Sequence, residues 1–223
     1  VCTVIAVAWV GRSLAADPLI APALRRAQTV DGGGRYLLPG LIDAHGHVDN
    51  LGKLRLSADL VGSVSLDDAL ARVRAQAEKH PDAPWVLGRG WNEQLWPGRK
   101  SPSAVELDAV VADRPAWLRR VDGHAGWANH AALRAAHITR DTPDPPGGRI
   151  DHDDKGEPTG ILVDGALDLL EASIPPRSDA QLAASLDAAL SEMARLGLTG
   201  DGDPGVDRQR VALYKRYADE GKL

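Results

Sequence analysis

Leu38-Pro39-Gly40-Leu41-Ile42-Asp43-Ala44-His45-Gly46-His47 is a short apolar run that turns polar at its end. It reads as a buried strand running into a site. On a strand, residues two apart leave the same face, so His45 and His47 would stand side by side at the carboxyl end, where α/β active sites lie. Neutral imidazole is a common ligand for divalent metals, and a pair of them there suits one. Asp43 shares that face and is positioned to orient one ring as an acceptor. A lone His-x-His is also what an ordinary hydrogen-bonded loop carries, so the flanking sequence has to decide.

Downstream, the hydrophobic period changes to that of a helix. Ser65 with Asp68 opens one, carrying Leu66, Ala69, Leu70, Val73 and Ala77 as far as Pro81. Trp85-Val86-Leu87 reads as a strand, and Ser103 with Glu106 caps a helix carrying Val105, Leu107, Val110 and Val111. Ala116 to Val121 is a further strand, meeting Asp122-Gly123-His124, and a helix follows from Asn129. A Pro/Gly-rich stretch at about 140–165 reads as an insertion with a hairpin, Arg149–Asp151 and Thr159–Val163, turning at Asp154-Lys155-Gly156. Ser178 with Gln181 caps a helix whose Leu182, Leu186, Leu190 and Met193 form one stripe before Gly197. Leu198-Thr199 then start a short strand, and a last helix presents Val211, Tyr214 and Ala218.

Strand and helix alternating at this spacing predict βα units on a parallel sheet, about four of them. An eight-stranded barrel takes about 250 residues, so the 223 present hold only part of one. An open doubly wound sheet is the alternative architecture. Val4 to Val10 reads as a strand of a short N-terminal β segment, residues 1–37, with the partial barrel over 38–223. The chain starts with Val and reads as part of something longer.

Composition limits the function classes. With 43% hydrophobic and 26% charged residues the chain is globular. Its net charge of -5 offers no basic face to nucleic acid, and its apolar run is too short to span a membrane. The single cysteine, Cys2, excludes an internal disulfide and fits a cytoplasmic location. Self-association is left open by the sequence.

The segment 38–47 resembles the first-strand signature of the amidohydrolase superfamily. Gly90-Trp91-Asn92-Glu93 with Leu95-Trp96-Pro97, Arg119-Arg120-Val121-Asp122-Gly123-His124-Ala125, and Gly156-Glu157-Pro158-Thr159-Gly160-Ile161-Leu162 resemble, in order, blocks of its family-3 type, the N-substituted-formamide-deformylase-like members. The resemblance runs from about residue 30 to the end. It implies a TIM-type barrel with one or two divalent ions, usually zinc, activating water against a small amide-type substrate. His45 and His47 match the metal ligands. Trp91, Trp96, Asp122 and His124 match blocks that point to pocket lining, although ordinary core packing explains a tryptophan equally well.

The sequence departs from the family's pattern in three ways. The further histidines and the late general acid/base aspartate that the superfamily supplies would lie beyond Leu223. No lysine sits where a carboxylated bridge is expected, which leaves Asp164 as a candidate bridging carboxylate. Gly202 stands where related sequences lead one to expect histidine. A fragment or degenerate barrel without turnover is therefore the competing reading. Gly200, Gly202 and Gly205 also satisfy a dinucleotide pattern, which would make the chain an oxidoreductase, but Asp201 and Asp203 would set negative charge beside a pyrophosphate. Asp151, Asp153 and Gly156 resemble a calcium loop, with Lys155 and Leu162 at ligand positions; a solvated turn fits better.

Overall fold

The computed structural model describes residue 28, residues 31–36 and residues 38–223; the strand read at Val4 to Val10 lies outside them. Along Gly40–Leu223 the order opens with β1 (Leu41–Asp43), α1 (Val48–Arg55), β2 (Ala58–Asp59), α2 (Leu66–Lys79), β3 (Val86–Trp91), α3 (Ala104–Asp108) and β4 (Ala116–Arg120). It continues with β5 (Ala125–Ala128), α4 (His130–Ala135), β6 (Gly148–His152), β7 (Pro158–Asp164), α5 (Ala166–Glu171), α6 (Asp179–Arg195), β8 (Leu198–Asp201) and α7 (Arg208–Asp219).

Six strands form one sheet in the order β2-β3-β4-β5-β7-β6, and β1 pairs with β8 in a separate two-stranded sheet. The β2-β3 and β3-β4 pairs are parallel, as the βα reading predicts. The β4-β5, β5-β7 and β6-β7 pairs are antiparallel. The sheet is therefore mixed, which corrects two expectations. Asp122-Gly123-His124 is not a βα loop but the turn of the β4-β5 hairpin. The 148–164 hairpin is built into the sheet, because β7 pairs with β5 on one side and β6 on the other. Sequence periodicity gave no sign of β5, whose four residues Ala-Gly-Trp-Ala are all buried and so show no alternation.

Both faces of this sheet are covered. Ala116, Leu118, Trp127 and Ile161 point to one side, where Ala69 and Val73 of α2 and Leu107 and Val111 pack with Trp91 and Trp96. Trp117, Ala128, Ile150 and Leu162 point to the other, against Ala132 and Leu133 of α4 and Leu167 and Leu170 of α5. Each fully buried large side chain here contributes about 1.5–3 kcal/mol. The helix starts follow their caps: Ser65 accepts the Asp68 N–H at 3.0 Å, and Ser178 and Gln181 complete a reciprocal box.

A third cluster joins α1, α6 and α7, with Leu198 of β8 packed against it. Leu182, Leu186 and Met193 of α6 form the predicted stripe, meeting Val48 of α1 and Leu213 and Tyr217 of α7. On α7 the buried face is thus Leu213 and Tyr217, with Tyr214 partly buried; Val211 is exposed, contrary to the stripe read from sequence. β1 also differs from expectation. It is short and not buried, with Ile42 74% exposed, because β8 is the one strand it pairs with among the described residues. No helix among the described residues is long and apolar enough to cross a membrane.

Candidate functional site

The parallel β1-β8 register sets Asp43 beside Asp201, so both strands deliver their polar ends to one place. The pairing continues past the strands: Gly202 N–H donates to Asp43 O at 2.8 Å and Gly46 N–H to Gly202 O at 3.2 Å. His45 and His47 therefore do not sit on the strand. They lie in the loop behind it, and His47 is the N-cap residue of α1. Their rings nevertheless come together, 5.4 Å between centroids and nearly perpendicular.

Glycine makes this zipped pair of loops possible at two positions. A β-carbon on Gly46 would run into the Asp201 carboxylate, and one on Gly202 would meet Ala44 O at 2.7 Å. The absence of histidine at Gly202 thus has a local consequence: the β8 loop lies flat against β1. The same packing disposes of the dinucleotide reading. The Asp203 carboxylate already accepts the Gly205 N–H at 3.1 Å, so a fixed negative group takes a backbone donor that a pyrophosphate would need.

Three carboxylates attend the histidines. Asp43 accepts the backbone N–H of His45 at 3.0 Å, so it fixes the loop rather than an imidazole. The carboxylate facing a ring is Asp203, whose Oδ1 lies 3.6 Å from His47 Nδ1. Asp201 holds a buried Oδ2 without a hydrogen-bond partner. Burial, then the charges of Asp43 and Asp203, push its carboxyl above the usual range, while His47 and His45 pull the other way. Sequence reading missed Asp201 and Asp203 as site residues. The signal was available in two acids at the end of a short strand, but only the β1-β8 pairing brings them to the histidines.

The remaining candidates gather at the hairpin end of the six-stranded sheet. His124 Nδ1 is 2.8 Å from Asp164 Oδ1, and its backbone N–H donates to Asp122 Oδ1 at 3.0 Å. Asp122 also receives Arg120 through Nε and Nη2, and this guanidinium holds its carboxyl below the ordinary range. No hydrogen bond or ion pair among the described residues joins Asp164 to His45 or His47; its partner is His124. Trp91 and Trp96 are 1% and 4% exposed and pack on Trp127, with their indole N–H groups donating to Leu118 O and Ser63 O. The core thus takes both rings, in place of the pocket lining expected of them. In the turn once compared with a calcium loop, the Asp153 carboxylate accepts the Lys155 and Glu157 N–H groups.

The sequence profile of the amidohydrolase family matches residues 28–223. The chain belongs to the amidohydrolase family. It is 39% identical over 197 residues to the protein YtcJ of Bacillus subtilis (strain 168), covering 85% of this chain and 37% of that one. To the N-substituted formamide deformylase of Arthrobacter pascens it is 32% identical over 203 residues, covering 88% and 38%. An uncharacterized metal-dependent hydrolase from Pyrococcus horikoshii OT3 shares the fold with a TM-score of 0.66 at 24% identity, over 92% of this chain and 38% of the other. The chain spans well under half the length of these relatives.

The donor set of the amidohydrolase loop fits a divalent cation in part. Two imidazoles and a buried, unpaired carboxylate oxygen are the right chemistry. Among the described residues no three His, Cys, Asp or Glu side chains close on a common point.

Proposed function

We propose that the chain is the first part of a metal-dependent amidohydrolase (β/α) barrel acting on carbon–nitrogen bonds other than peptide bonds. The observation that carries the reading is the His45–His47 ring pair, which follows β1 where it ends beside β8 and the unpaired Asp201 oxygen. His45, His47 and Asp201 would hold the ion, with further ligands and the general acid/base supplied by strands that the longer relatives possess. The chemistry such an ion, expected to be zinc, would supply when bound is that of a Lewis acid toward water and a carbonyl.

The chain's own groups have separable tasks in this proposal. Asp43 and the β8 backbone hold the His45–His47 loop in place before any ion arrives, and preorganisation of this kind lowers the cost of binding. His124, fixed by Asp164 and Asp122, is proposed to face a small amide-type substrate, since its ring is largely exposed and its Nε2 carries no partner among the described contacts. An N-substituted formamide is the first substrate class to try, given the deformylase relative.

Metal content per chain after chelator-free purification tests this, comparing the parent with a His45→Ala, His47→Ala double variant shown to be folded by circular dichroism. A near-stoichiometric divalent ion in the parent, lost in the variant, is expected. Equal metal in both, or none in the parent, would refute the metal site and leave a barrel fragment without turnover as the better description.

A further inference from the structure

His47 begins α1 without capping it: its side chain makes no hydrogen bond to the helix. The first helical N–H, that of Val48, goes instead to Asp203 Oδ2 at 3.2 Å, across 155 residues of sequence. The same oxygen accepts the Tyr214 hydroxyl at 3.0 Å, and Oδ1 accepts the Gly205 N–H at 3.1 Å. The Asp203 side chain is only 8% exposed. Three donors therefore pin this carboxylate, and the remaining side of Oδ1 faces His47 Nδ1 at 3.6 Å.

We propose that Asp203 and Tyr214 are positioning residues for His47, fixing the ring so that Nε2 is the nitrogen offered to a metal ion. The inference rests on the metal-site reading above and adds to it how one ligand is aimed. A carboxylate accepts and never donates when ionised, so the hydroxyl of Tyr214 must be the donor to it. His47 Nδ1, 3.6 Å from Oδ1, is in ion-pair reach and beyond hydrogen-bond range in this geometry, and a small rotation of the ring would let it donate. Such a partner holds a ligating imidazole in one tautomer and one orientation, and losing it typically weakens metal binding 10- to 100-fold.

The helix that brings Tyr214 is itself tied to the same segment. Arg210, one turn before Tyr214 on α7, donates to Asp49 at 3.0 Å, and Asp49 lies two residues after His47. α7 thus touches the His47 segment twice, once through Asp203 and once through Asp49. Its N-terminus is capped by Asp207, which accepts the Arg210 N–H at 2.9 Å. Placement of the ring then depends on a helix more than 150 residues downstream in sequence.

Cobalt(II) titration of the metal-free chain tests the pairing, read by affinity and by the visible ligand-field spectrum, which reports ligand geometry and is indifferent to global stability. Tyr214→Phe removes one hydroxyl, and Asp203→Asn removes the charge while keeping an acceptor. Tyr217→Phe, on the same helix but bonded to Ala183 O, is the control. The proposal expects about 10-fold weaker cobalt binding and an altered spectrum for Tyr214→Phe, a larger loss for Asp203→Asn, and parent behaviour for Tyr217→Phe. Parent-like affinity and spectrum in both test variants overturn the positioning role and leave the metal site standing. A parent that binds no cobalt overturns both. If Asp203→Asn does not fold, the His47 ring nitrogens read by long-range 1H–15N correlation in Tyr214→Phe decide: a redistributed tautomer supports the pairing, and an unchanged one overturns it.

Discussion

Asp164 holds His124 twice: its Oδ1 meets the ring Nδ1 at 2.8 Å, and its backbone N–H donates to the His124 carbonyl at 2.9 Å. To do so it adopts φ +48°, the left-handed region in which an L-residue is strained by about 1 kcal/mol or more. Strain held at a residue that orients an exposed imidazole is the pattern expected of a functional contact. Asp164→Gly separates the two effects. The backbone cost disappears, so the melting temperature stays near that of the parent. The ring loses its acceptor, so the His124 proton, read by long-range 1H–15N correlation, moves from Nδ1 toward Nε2. A variant that keeps the parent tautomer would show that Asp164 does not set it.

Asn129 makes a comparable knot inside the protein, and it predicts a large stability effect. Fully buried, it accepts the Ala116 and Ala132 N–H groups and donates to Val111 O and Arg114 O, all at 2.8–2.9 Å. One side chain thus caps α4, starts β4 and closes the turn after α3. Asn129→Ala leaves two donors and two acceptors without partners in the core, and a loss of about 2–4 kcal/mol is expected in urea denaturation. A loss below about 1 kcal/mol would mean that water replaces the amide.

The contrast between Asn129 and His47 shows what the sequence could disclose. Asn129 was readable as a helix start because capping is local: the cap and the N–H it accepts are three residues apart. The long α6 stripe and the Ser65 and Ser178 caps were readable for the same reason. His45 and His47 were readable from their family context. Asp201, Asp203 and Tyr214 were not, since their relation to the histidines exists only once β8 pairs with β1 across more than 150 residues. β5 was hidden by its burial on both faces, which erases the alternation that marks a strand.

Gly202 invites an obvious restoration, and the structure predicts that it fails locally. A β-carbon there would lie 2.7 Å from Ala44 O, a backbone atom that cannot swing aside as a side-chain end does. Gly202→His must therefore push the β1 loop away from β8, at a cost of about 1–3 kcal/mol. The Gly46-to-Gly202 hydrogen bond would open with it, measurable as faster exchange of the Gly46 amide. Unchanged stability together with an unchanged Gly46 exchange rate would show that the loops have slack absent from this packing.

Asp49 supplies a pH dependence whose sign can be worked out. Burial raises its carboxyl pKa, but hydrogen bonds from Arg177 and Lys53 and their charges outweigh this and bring it down to about 2. Arg210 donates to the same Oδ2 at 3.0 Å, so three cations from α1, α7 and the stretch before α6 meet one carboxylate. Because the folded value lies below the ordinary aspartate value of 3.8, the ionised form is favoured by folding. Its contribution is present above about pH 4 and drains away as pH falls toward 2. Solvent screening of this half-buried cluster reduces the gain to about 1 kcal/mol. In Asp49→Asn the three cations lose their common partner, so the variant is less stable than the parent at pH 6, with the gap narrowing steadily between pH 4 and pH 2. Many other carboxylates protonate over the same range, and the difference between parent and variant removes them from the comparison. A gap that stays constant down to pH 2 would mean that Asp49 is held by packing and not by charge. The linkage of α7 to the His47 segment would then rest on Tyr214 and Asp203 alone.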